Sequence, residues 1–284
     1  VCSSDLREAR ERLQAQQIDA PHIVARVLLG HVLDVPAEVL IAHDEVALRA
    51  DQREEADQLL NARLGGAPLA YVIESVEFYG HRFRVTPDVL VPRNETEHLV
   101  EFILDRASPS ARGEDRAWSL VDVGTGSGAI VISVALADSQ MVGFGIDISP
   151  AALEIAQQNG FVLGVEERVR WLPGDLLAPL GDLSLDVATR SGASVAPGQV
   201  DVIVSNPPYV DPIERSLLRP EVLREPEVAL FAGEPGAGGA LYYQRLLTEA
   251  RPWLKPGGWL VMELGFGQAA PVSDLARRIG GWVE

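Results

Sequence analysis

The sequence contains very little cysteine and lysine. Cys2 is the only cysteine among the 284 residues, which excludes a disulfide framework, a thiolate metal cluster and a redox pair. Lys255 is the only lysine, so arginine carries nearly all the basic charge. No apolar run approaches the roughly 18 residues of a membrane span, and no secretory signal opens the chain. We therefore expect a cytoplasmic protein with no membrane partner.

Acidic residues outnumber basic residues by a wide margin. The chain has 41 Asp and Glu residues against 24 Lys and Arg residues, a formal net charge of -17. Phosphate backbones repel a body this acidic, so the charge argues against direct binding of nucleic acid. Apolar residues make up 47% of the chain and charged residues 23%, which is the balance of a globular protein.

Helical patterns fill the first part of the chain. Charged or apolar residues at helical spacing predict helices at 5–17, 21–33, near 37–43, and at 49–64. Gly65-Gly66 ends the last of these helices. No strand pattern interrupts this part, which predicts a small helical domain over residues 1–75.

The periodicity then changes twice. The run EFYG-HRFRV alternates and predicts a β-hairpin over residues 76–91, with its turn at Gly80-His81, as a linker to a second domain over 92–284. That domain alternates between strands and helices, and we expect a mostly parallel α/β sheet with sites at the carboxyl ends of its strands. The predicted strands are 120–123, 141–146, 169–172, 200–205 and 259–264, and the predicted helices are 128–137, 150–160 and 239–254. Residues 182–199 break this rhythm and are interpreted as a flexible surface insertion.

A glycine-rich loop follows the first predicted strand of the sheet. It comprises Asp122, Gly124, Thr125, Gly126, Ser127 and Gly128. Glycines let a ligand lie against bare backbone, and the following helix presents unpaired N–H groups. Gly124, Gly126 and Ala129 also fit a dinucleotide-binding fingerprint, so the loop alone leaves the ligand open.

Carboxylates follow the next two predicted strands. Asp147, beside Ile148, is placed to bind both hydroxyls of a ribose, which fits NAD and S-adenosylmethionine equally. A second reading makes Asp147 a helix cap, although Ser149 fills that role better. Asp175 and Leu176 are candidates to contact an adenine, the first by accepting from its amine and the second by packing on the ring; an ordinary turn is the alternative.

The tetrad Asn206-Pro207-Pro208-Tyr209 follows the strand predicted at 200–205. The prolines stiffen the loop and remove two backbone donors, so the loop offers carbonyl acceptors. Asn206 adds a side-chain acceptor and Tyr209 a flat face. Such a site suits a planar –NH2 group, because two acceptors that hold both hydrogens leave the nitrogen lone pair aimed at an electrophile.

With these motifs the chain resembles the bacterial release factor glutamine N5-methyltransferases, from about residue 7 to its end. The shared segments are 68–71 (PLAY), 77–80 (EFYG), 89–97 (VLVPRNETE), 203–210 (IVSNPPYV) and 224–226 (REP). The family's usual Pro-Arg-Pro-Glu-Thr-Glu has Asn94 at its third position here. The chain also stops before two further strands that close the family's sheet, so we expect a C-terminally truncated sheet with an open edge.

The resemblance implies a Rossmann-like, doubly wound S-adenosylmethionine-dependent methyltransferase domain with a small N-terminal helical domain for substrate recognition. The expected cofactor is S-adenosyl-L-methionine, held by Asp122, Gly124–Gly128, Asp147, Ile148, Asp175, Leu176 and Asn206. The expected substrate is the glutamine of the Gly-Gly-Gln motif of class 1 peptide chain release factors. Asn206, Pro207, Pro208 and Tyr209 would hold its amide, with Asn206, Pro207 and Tyr209 catalytic, and Arg93 and Glu97 would line the peptide mouth; helix capping is the alternative for the last two. We expect a monomer with no metal ion.

Three other readings remain open on the residues alone. A DNA adenine N6-methyltransferase shares the tetrad but needs a basic cleft and a target-recognition domain, and neither is visible. An NAD-dependent oxidoreductase would use the glycine loop and leave the tetrad without a task. A non-catalytic binding module would use the N-terminal helices to dock a ribosomal partner.

Overall fold

The computed structural model describes residues 2–42, 48–182 and 196–283. The chain divides into two compact units, the first comprising Val1–Ser75 with Arg219–Arg224 and the second Val76–Leu218 with Glu225–Glu284. The contribution of 219–224 to the first unit has no signal in the sequence. The predicted division into a helical domain over 1–75, a linker over 76–91 and a second domain over 92–284 stays a prediction.

The first unit is helical in its described residues. Its helices are α1 (Cys2–Ala15), α2 (Pro21–Leu33), α3 (Val39–Ala42), α4 (Ala50–Leu64) and α5 (Leu69–Val72). The prediction for α2 is confirmed, and Gly65 follows α4 as expected. Helix α1 begins three residues earlier than predicted. The last residue of the stretch predicted near 37–43, His43, lies outside the described residues.

The core of the first unit forms where the apolar faces of these helices meet. Leu13, Leu28 and Leu60 are buried together there. Arg63 is also buried, and its guanidinium donates to the Ala67 carbonyl at 3.1 Å and to Glu221 Oε2 at 2.7 Å. Burial of this arginine is tolerated because its charge is paired.

The predicted β-hairpin begins at Ser75, the residue before the second unit starts. Its strands are β1 (Ser75–Phe78) and β2 (His81–Arg84). The turn residues are Tyr79 and Gly80, with φ of 50° and 74°, as in the type I′ turns that match strand twist. The predicted turn at Gly80-His81 was therefore wrong by one residue. The second strand ends at Arg84, and the predicted extent of the linker to residue 91 stays a prediction.

A five-stranded parallel sheet organises the rest of the second unit. Its strands are β3 (Trp118–Val123), β4 (Met141–Asp147), β5 (Val169–Pro173), β6 (Val200–Ser205) and β7 (Leu254–Met262), in the order β5-β4-β3-β6-β7. The chain order reverses between β3 and β6, where a doubly wound sheet opens a crevice. The predicted α/β fold is confirmed, and β7 starts five residues before the predicted strand.

Helices join and cover these strands. They are α6 (Glu97–Phe102), α7 (Ala129–Ala137), α8 (Pro150–Val162), α9 (Ala178–Asp182), α10 (Glu227–Leu230), α11 (Leu241–Glu249) and α12 (Ala269–Ile279). Helix α11 is shorter at both ends than the predicted 239–254. Most of the predicted insertion, residues 183–195, lies outside the described residues. None of the helices in the described ranges is both long and apolar enough to cross a membrane.

The central strands of the sheet are buried on both faces. Every residue of β3 and β6 is buried, as expected for parallel strands covered on both faces. In the register of the sheet, Val123 of β3 pairs with Ile146 of β4 and with Ser205 of β6. The residues that follow these three strands therefore emerge at the same edge.

Candidate active site

A cleft opens at the carboxyl edge of the sheet. It encloses about 1030 Å³ of space, which includes open solvent at its mouth. The predicted site residues that line it are Gly124, Thr125, Gly126, Ser127, Asp147, Ile148, Asp175, Leu176, Asn206, Pro207 and Pro208. Loops after four different strands thus bring most of the predicted site together.

The glycine loop forms one wall of the cleft. Gly126 has a φ of 54° and Gly128 a φ of 81°, values that side-chain-bearing residues rarely adopt. The Gly126 N–H donates to Asp147 Oδ2 at 2.9 Å, which joins the loop to the end of β4. Gly128 faces the interior instead, because a Cβ there would lie 2.8 Å from Ile132 Cδ1 and 3.0 Å from the Trp171 ring.

Asp122 lies beneath the loop and does not line the cleft. Its side chain is fully buried, and its Oδ2 accepts from Thr125 Oγ1 at 2.7 Å and from the Val131 N–H at 3.4 Å. Its Oδ1 is buried with no partner among the described atoms. Burial raises the pKa of Asp122 to about 7. The Asp122 side chain points into the protein, and its predicted contact with the cofactor stays a prediction.

Asp147 occupies the end of β4 and lines the cleft. Its Oδ1 accepts from the Ser149 N–H at 2.9 Å, and each carboxylate oxygen keeps a further lone pair for a hydroxyl. Burial raises the pKa of Asp147, against the opposing hydrogen bonds from the Ser149 and Gly126 N–H groups. Ser149 caps α8 by accepting from the Ala152 N–H, as the sequence analysis favoured.

Leu176 lines the cleft in a strained conformation. Its φ of 47° lies in the left-handed region, which costs about 1–3 kcal/mol and is found where a site requires it. Its neighbour Asp175 is held by the Arg245 guanidinium through two hydrogen-bonding contacts of 3.0 and 3.1 Å. Sequence reasoning missed Arg245, which has no motif around it.

The tetrad leaves the end of β6 beside the glycine loop. Asn206, Pro207 and Pro208 line the cleft. Tyr209 does not line it, because its side chain packs with the cluster around Tyr243 and Leu247. The Tyr209 carbonyl accepts from Gln268 Nε2 at 3.2 Å.

Arg93 and Glu97 also lie outside the cleft lining. The Arg93 guanidinium donates to the buried carboxylate of Glu225, which also accepts from the Val91 N–H. Glu97 accepts from the Tyr79 N–H at 2.8 Å and so holds the hairpin turn. Their predicted contact with a peptide stays a prediction.

Two residues that the sequence analysis did not single out join the site. Thr96 lines the cleft, accepts from Asn206 Nδ2 at 3.1 Å and donates to Glu263 Oε2 at 2.6 Å. Thr96 belongs to the VLVPRNETE segment, which was a usable signal. Glu263 follows β7 and has no such motif around it.

Two family models match parts of the chain. Residues 6–73 match the family model "PrmC N-terminal domain", and residues 100–206 match the model "Ribosomal protein L11 methyltransferase (PrmA)". A solved methyltransferase structure from Pyrococcus furiosus aligns over 71% of this chain and 79% of its own, with 18% identity and a TM-score of 0.45.

Curated relatives match over nearly the whole chain. A release factor glutamine methyltransferase of Moorella thermoacetica is 38% identical over 277 residues, 98% of this chain and 90% of the relative. One from Koribacter versatilis is 37% identical over 271 residues, 95% of this chain and 88% of the relative. With this identity over almost its full length, the chain belongs to the release factor glutamine methyltransferase family.

Proposed function

We propose that this protein transfers a methyl group from S-adenosylmethionine to the side-chain amide nitrogen of the Gly-Gly-Gln glutamine of class 1 release factors, in support of translation termination. The observation that carries the proposal is the position of Asn206-Pro207-Pro208 in the same cleft as the glycine loop and Asp147. An amide-binding loop and a nucleoside-binding loop thus face one space.

The chemistry of the cleft fits the cofactor. When bound, S-adenosylmethionine supplies a methyl group on a positively charged sulfur and leaves as S-adenosylhomocysteine. Asp147 offers acceptors for ribose hydroxyls, while Ile148 and Leu176 offer apolar surface for the adenine. The bare backbone of Gly124 and Gly126 allows close approach of the methionine part.

The tetrad would position the substrate amide. Asn206 Oδ1 and the Pro207 carbonyl are the proposed acceptors for the two N–H hydrogens of the glutamine amide, which aims the nitrogen lone pair at the methyl group. A carbon–nitrogen bond forms as the carbon–sulfur bond breaks, and the methylated amide nitrogen releases its proton to water. No strong base is needed, because a protonated amide is strongly acidic. The orientation of the reactants can lower the barrier by about 7–11 kcal/mol.

The remaining predicted residues have supporting roles in the proposal. Asp122 holds Thr125 and the start of α7 beneath the cofactor loop. Tyr209 packs beside Tyr243 and Leu247, and its contact with the amide stays a prediction. Arg93 and Glu97 are proposed to contact the peptide around the glutamine when a release factor is bound.

A labelling experiment tests the proposal. The protein is incubated with methyl-labelled S-adenosylmethionine and with release factor, a release factor whose Gly-Gly-Gln is changed to Gly-Gly-Ala, or unmethylated DNA, each alone. We expect label on the unchanged release factor only. Label on DNA, or label that survives the glutamine change, would overturn the proposal.

A further inference from the structure

Four polar side chains lie close together around the carboxylate of Glu263. They are Glu263 itself, Thr96, and Asn206 and Tyr209 of the tetrad. The main chain of Glu263 extends the sheet, with its N–H donating to the Ser205 carbonyl at 3.0 Å. Its Oε2 accepts from Thr96 Oγ1 at 2.6 Å, and Thr96 Oγ1 accepts from Asn206 Nδ2 at 3.1 Å. Burial raises the pKa of Glu263 and that of Tyr209; in addition, Asn206 lowers the pKa of Glu263, and Glu263 raises the pKa of Tyr209, so both side chains lie near this carboxylate.

The direction of these hydrogen bonds follows from the chemistry of the groups. An ionised carboxylate only accepts, so the Thr96 hydroxyl gives its single hydrogen to Glu263. The Thr96 oxygen then has only lone pairs to offer Asn206, and lone pairs select the NH2 end of the amide. Thr96 is only 4% exposed, so water does not compete readily for these positions.

The consequence concerns which end of Asn206 faces the cleft. The two ends of an asparagine amide have nearly the same shape, so its surroundings must choose between them. With Nδ2 turned to Thr96 and Glu263, Oδ1 is left for the cleft. A substrate amide needs an acceptor there, and an NH2 group in that place would repel it.

We propose that Glu263 is a positioning residue which, through Thr96, holds the Asn206 amide with its oxygen toward the substrate. This inference rests on the proposed function for its catalytic meaning. The geometry of the relay stands on the described residues alone.

The charge state of Glu263 sets the direction of the relay. Burial raises the pKa of Glu263, as does the charge of Glu95, while hydrogen bonds from Thr96 and Asn206 and the charge of Arg93 lower it. Tyr209 also faces the carboxylate, and burial followed by the Glu263 charge raises the pKa of Tyr209. A protonated Glu263 can donate to Thr96, which frees the Thr96 hydroxyl to donate to Asn206 and turns the amide around.

The kinetic test uses paired variants. Glu263→Gln puts an amide that can donate or accept in place of a group that only accepts, so it no longer fixes the direction of the Thr96 hydroxyl, and Thr96→Val removes that hydroxyl. Each variant should lower kcat about 10- to 100-fold while the Kd for S-adenosylmethionine stays within about twofold, because the glycine loop is unchanged. Thr96→Ser restores the hydroxyl and should recover most of kcat. In the unchanged protein, protonation of Glu263 should lower kcat as the pH falls, and this acid limb of the kcat–pH profile should vanish in Glu263→Gln.

Glu95→Gln is the matched control, because it removes a nearby charge but no hydrogen bond of the relay. It should keep kcat and move the acid limb to lower pH, since the Glu95 charge raises the pKa of Glu263. Thr96→Val, which is nearly isosteric, serves if Glu263→Gln does not fold. A kcat within about twofold of the unchanged protein in the folded variants would overturn the proposal.

A spectroscopic test separates this inference from the proposed function. The side-chain NH2 signal of Asn206, identified by its loss in Asn206→Ala, is followed by nuclear magnetic resonance as the pH is lowered. We expect it to titrate in the unchanged protein and not in Glu263→Gln. Titration that persists in Glu263→Gln overturns the relay, whereas failure to methylate release factor overturns the function and leaves this measurement valid.

Discussion

Asn159 joins the glycine loop to the hairpin: its Nδ2 donates to the Ser127 carbonyl at 2.9 Å and to the Arg84 carbonyl at 3.0 Å. Its Oδ1 accepts from the Arg84 N–H at 2.8 Å. The side chain is buried in α8 and pairs with the free edge of β2 much as a neighbouring strand would. Two walls of the cleft, the loop over 124–128 and the segment after β2, thus depend on one side chain.

Replacement of Asn159 should weaken cofactor binding. Asn159→Leu leaves the Ser127 and Arg84 backbone groups unpaired, which costs about 1–3 kcal/mol per group and loosens the loop. We expect the Kd for S-adenosylmethionine, measured by calorimetry, to rise about tenfold. Gln158→Ala is the control, because Gln158, on the same helix turn as Asn159, accepts from the Arg84 guanidinium through its Oε1 but holds neither the Ser127 nor the Arg84 backbone. Lowered stability with an unchanged Kd would contradict the assignment.

Removal of the Asn206 side chain should separate binding from turnover. Asn206→Ala takes away the proposed amide acceptor, and we expect kcat to fall at least about 100-fold, while cofactor affinity stays largely intact. Asp147→Ala should behave in the opposite way and chiefly raise the Kd for S-adenosylmethionine. Equal loss of binding and turnover in Asn206→Ala would argue against its role.

Asp122 should make stability depend on pH near neutrality. Burial raises its pKa from 3.8 to about 7 in the folded protein, so its contribution to stability is present at acid pH and lost as the pH rises through about 7. Between about pH 6 and about pH 8 this group should remove about 1 kcal/mol of unfolding free energy.

Urea unfolding at those two pH values measures this effect. Asp122→Asn does not titrate and should show a smaller loss of stability between them than the unchanged protein. Asp105→Asn, at an exposed carboxylate, should keep the full loss. A parallel pH dependence in Asp122→Asn and the unchanged protein would refute the prediction.

Lys255 should stabilise the edge of the sheet opposite the cleft. Its Nζ donates to Asp201 Oδ2 at 2.8 Å, and Arg116 donates to Oδ1 at 2.7 Å. Burial would raise the pKa of Asp201, but the Arg116 and Lys255 hydrogen bonds hold it below its ordinary value.

Lys255→Met should therefore lower the unfolding free energy at neutral pH by about 1–3 kcal/mol, because the buried carboxylate loses one of its two cationic partners and keeps the Arg116 guanidinium and the Ser119 N–H. The difference should shrink as the pH falls below the ordinary pKa of Asp201, 3.8, where the carboxylate of the unfolded chain takes up its proton first. Arg277→Met, which removes an exposed ion pair with Asp274, should change stability by less than about 0.5 kcal/mol. A cost no larger than that control would count against the prediction.

Local sequence patterns predicted much of the fold. The continuous apolar run of β6 predicted a buried parallel strand with the correct bounds, and Pro21 marked the first residue of α2. The turn of the hairpin was predicted one residue late. Its left-handed residues are Tyr79 and Gly80, and the sequence indicates a left-handed conformation only at the glycine. The limits of β7 were misjudged because Pro256 and the glycines after it read as a loop while the strand passes through them.

Part of the candidate site was likewise predictable from local sequence, and part was not. The sequence by itself determined the glycine loop, Asp147 and the tetrad, because each is a short motif directly after a strand, and the carboxyl ends of parallel strands share one edge. Only the tertiary structure decided which side chains reach the cleft and which support it. Asp122 turns inward, Tyr209 packs behind the tetrad, and Thr96, Asn159 and Glu263 come from distant positions. Such contacts depend on how separate elements pack, and spacing along the chain does not encode the direction in which a side chain points.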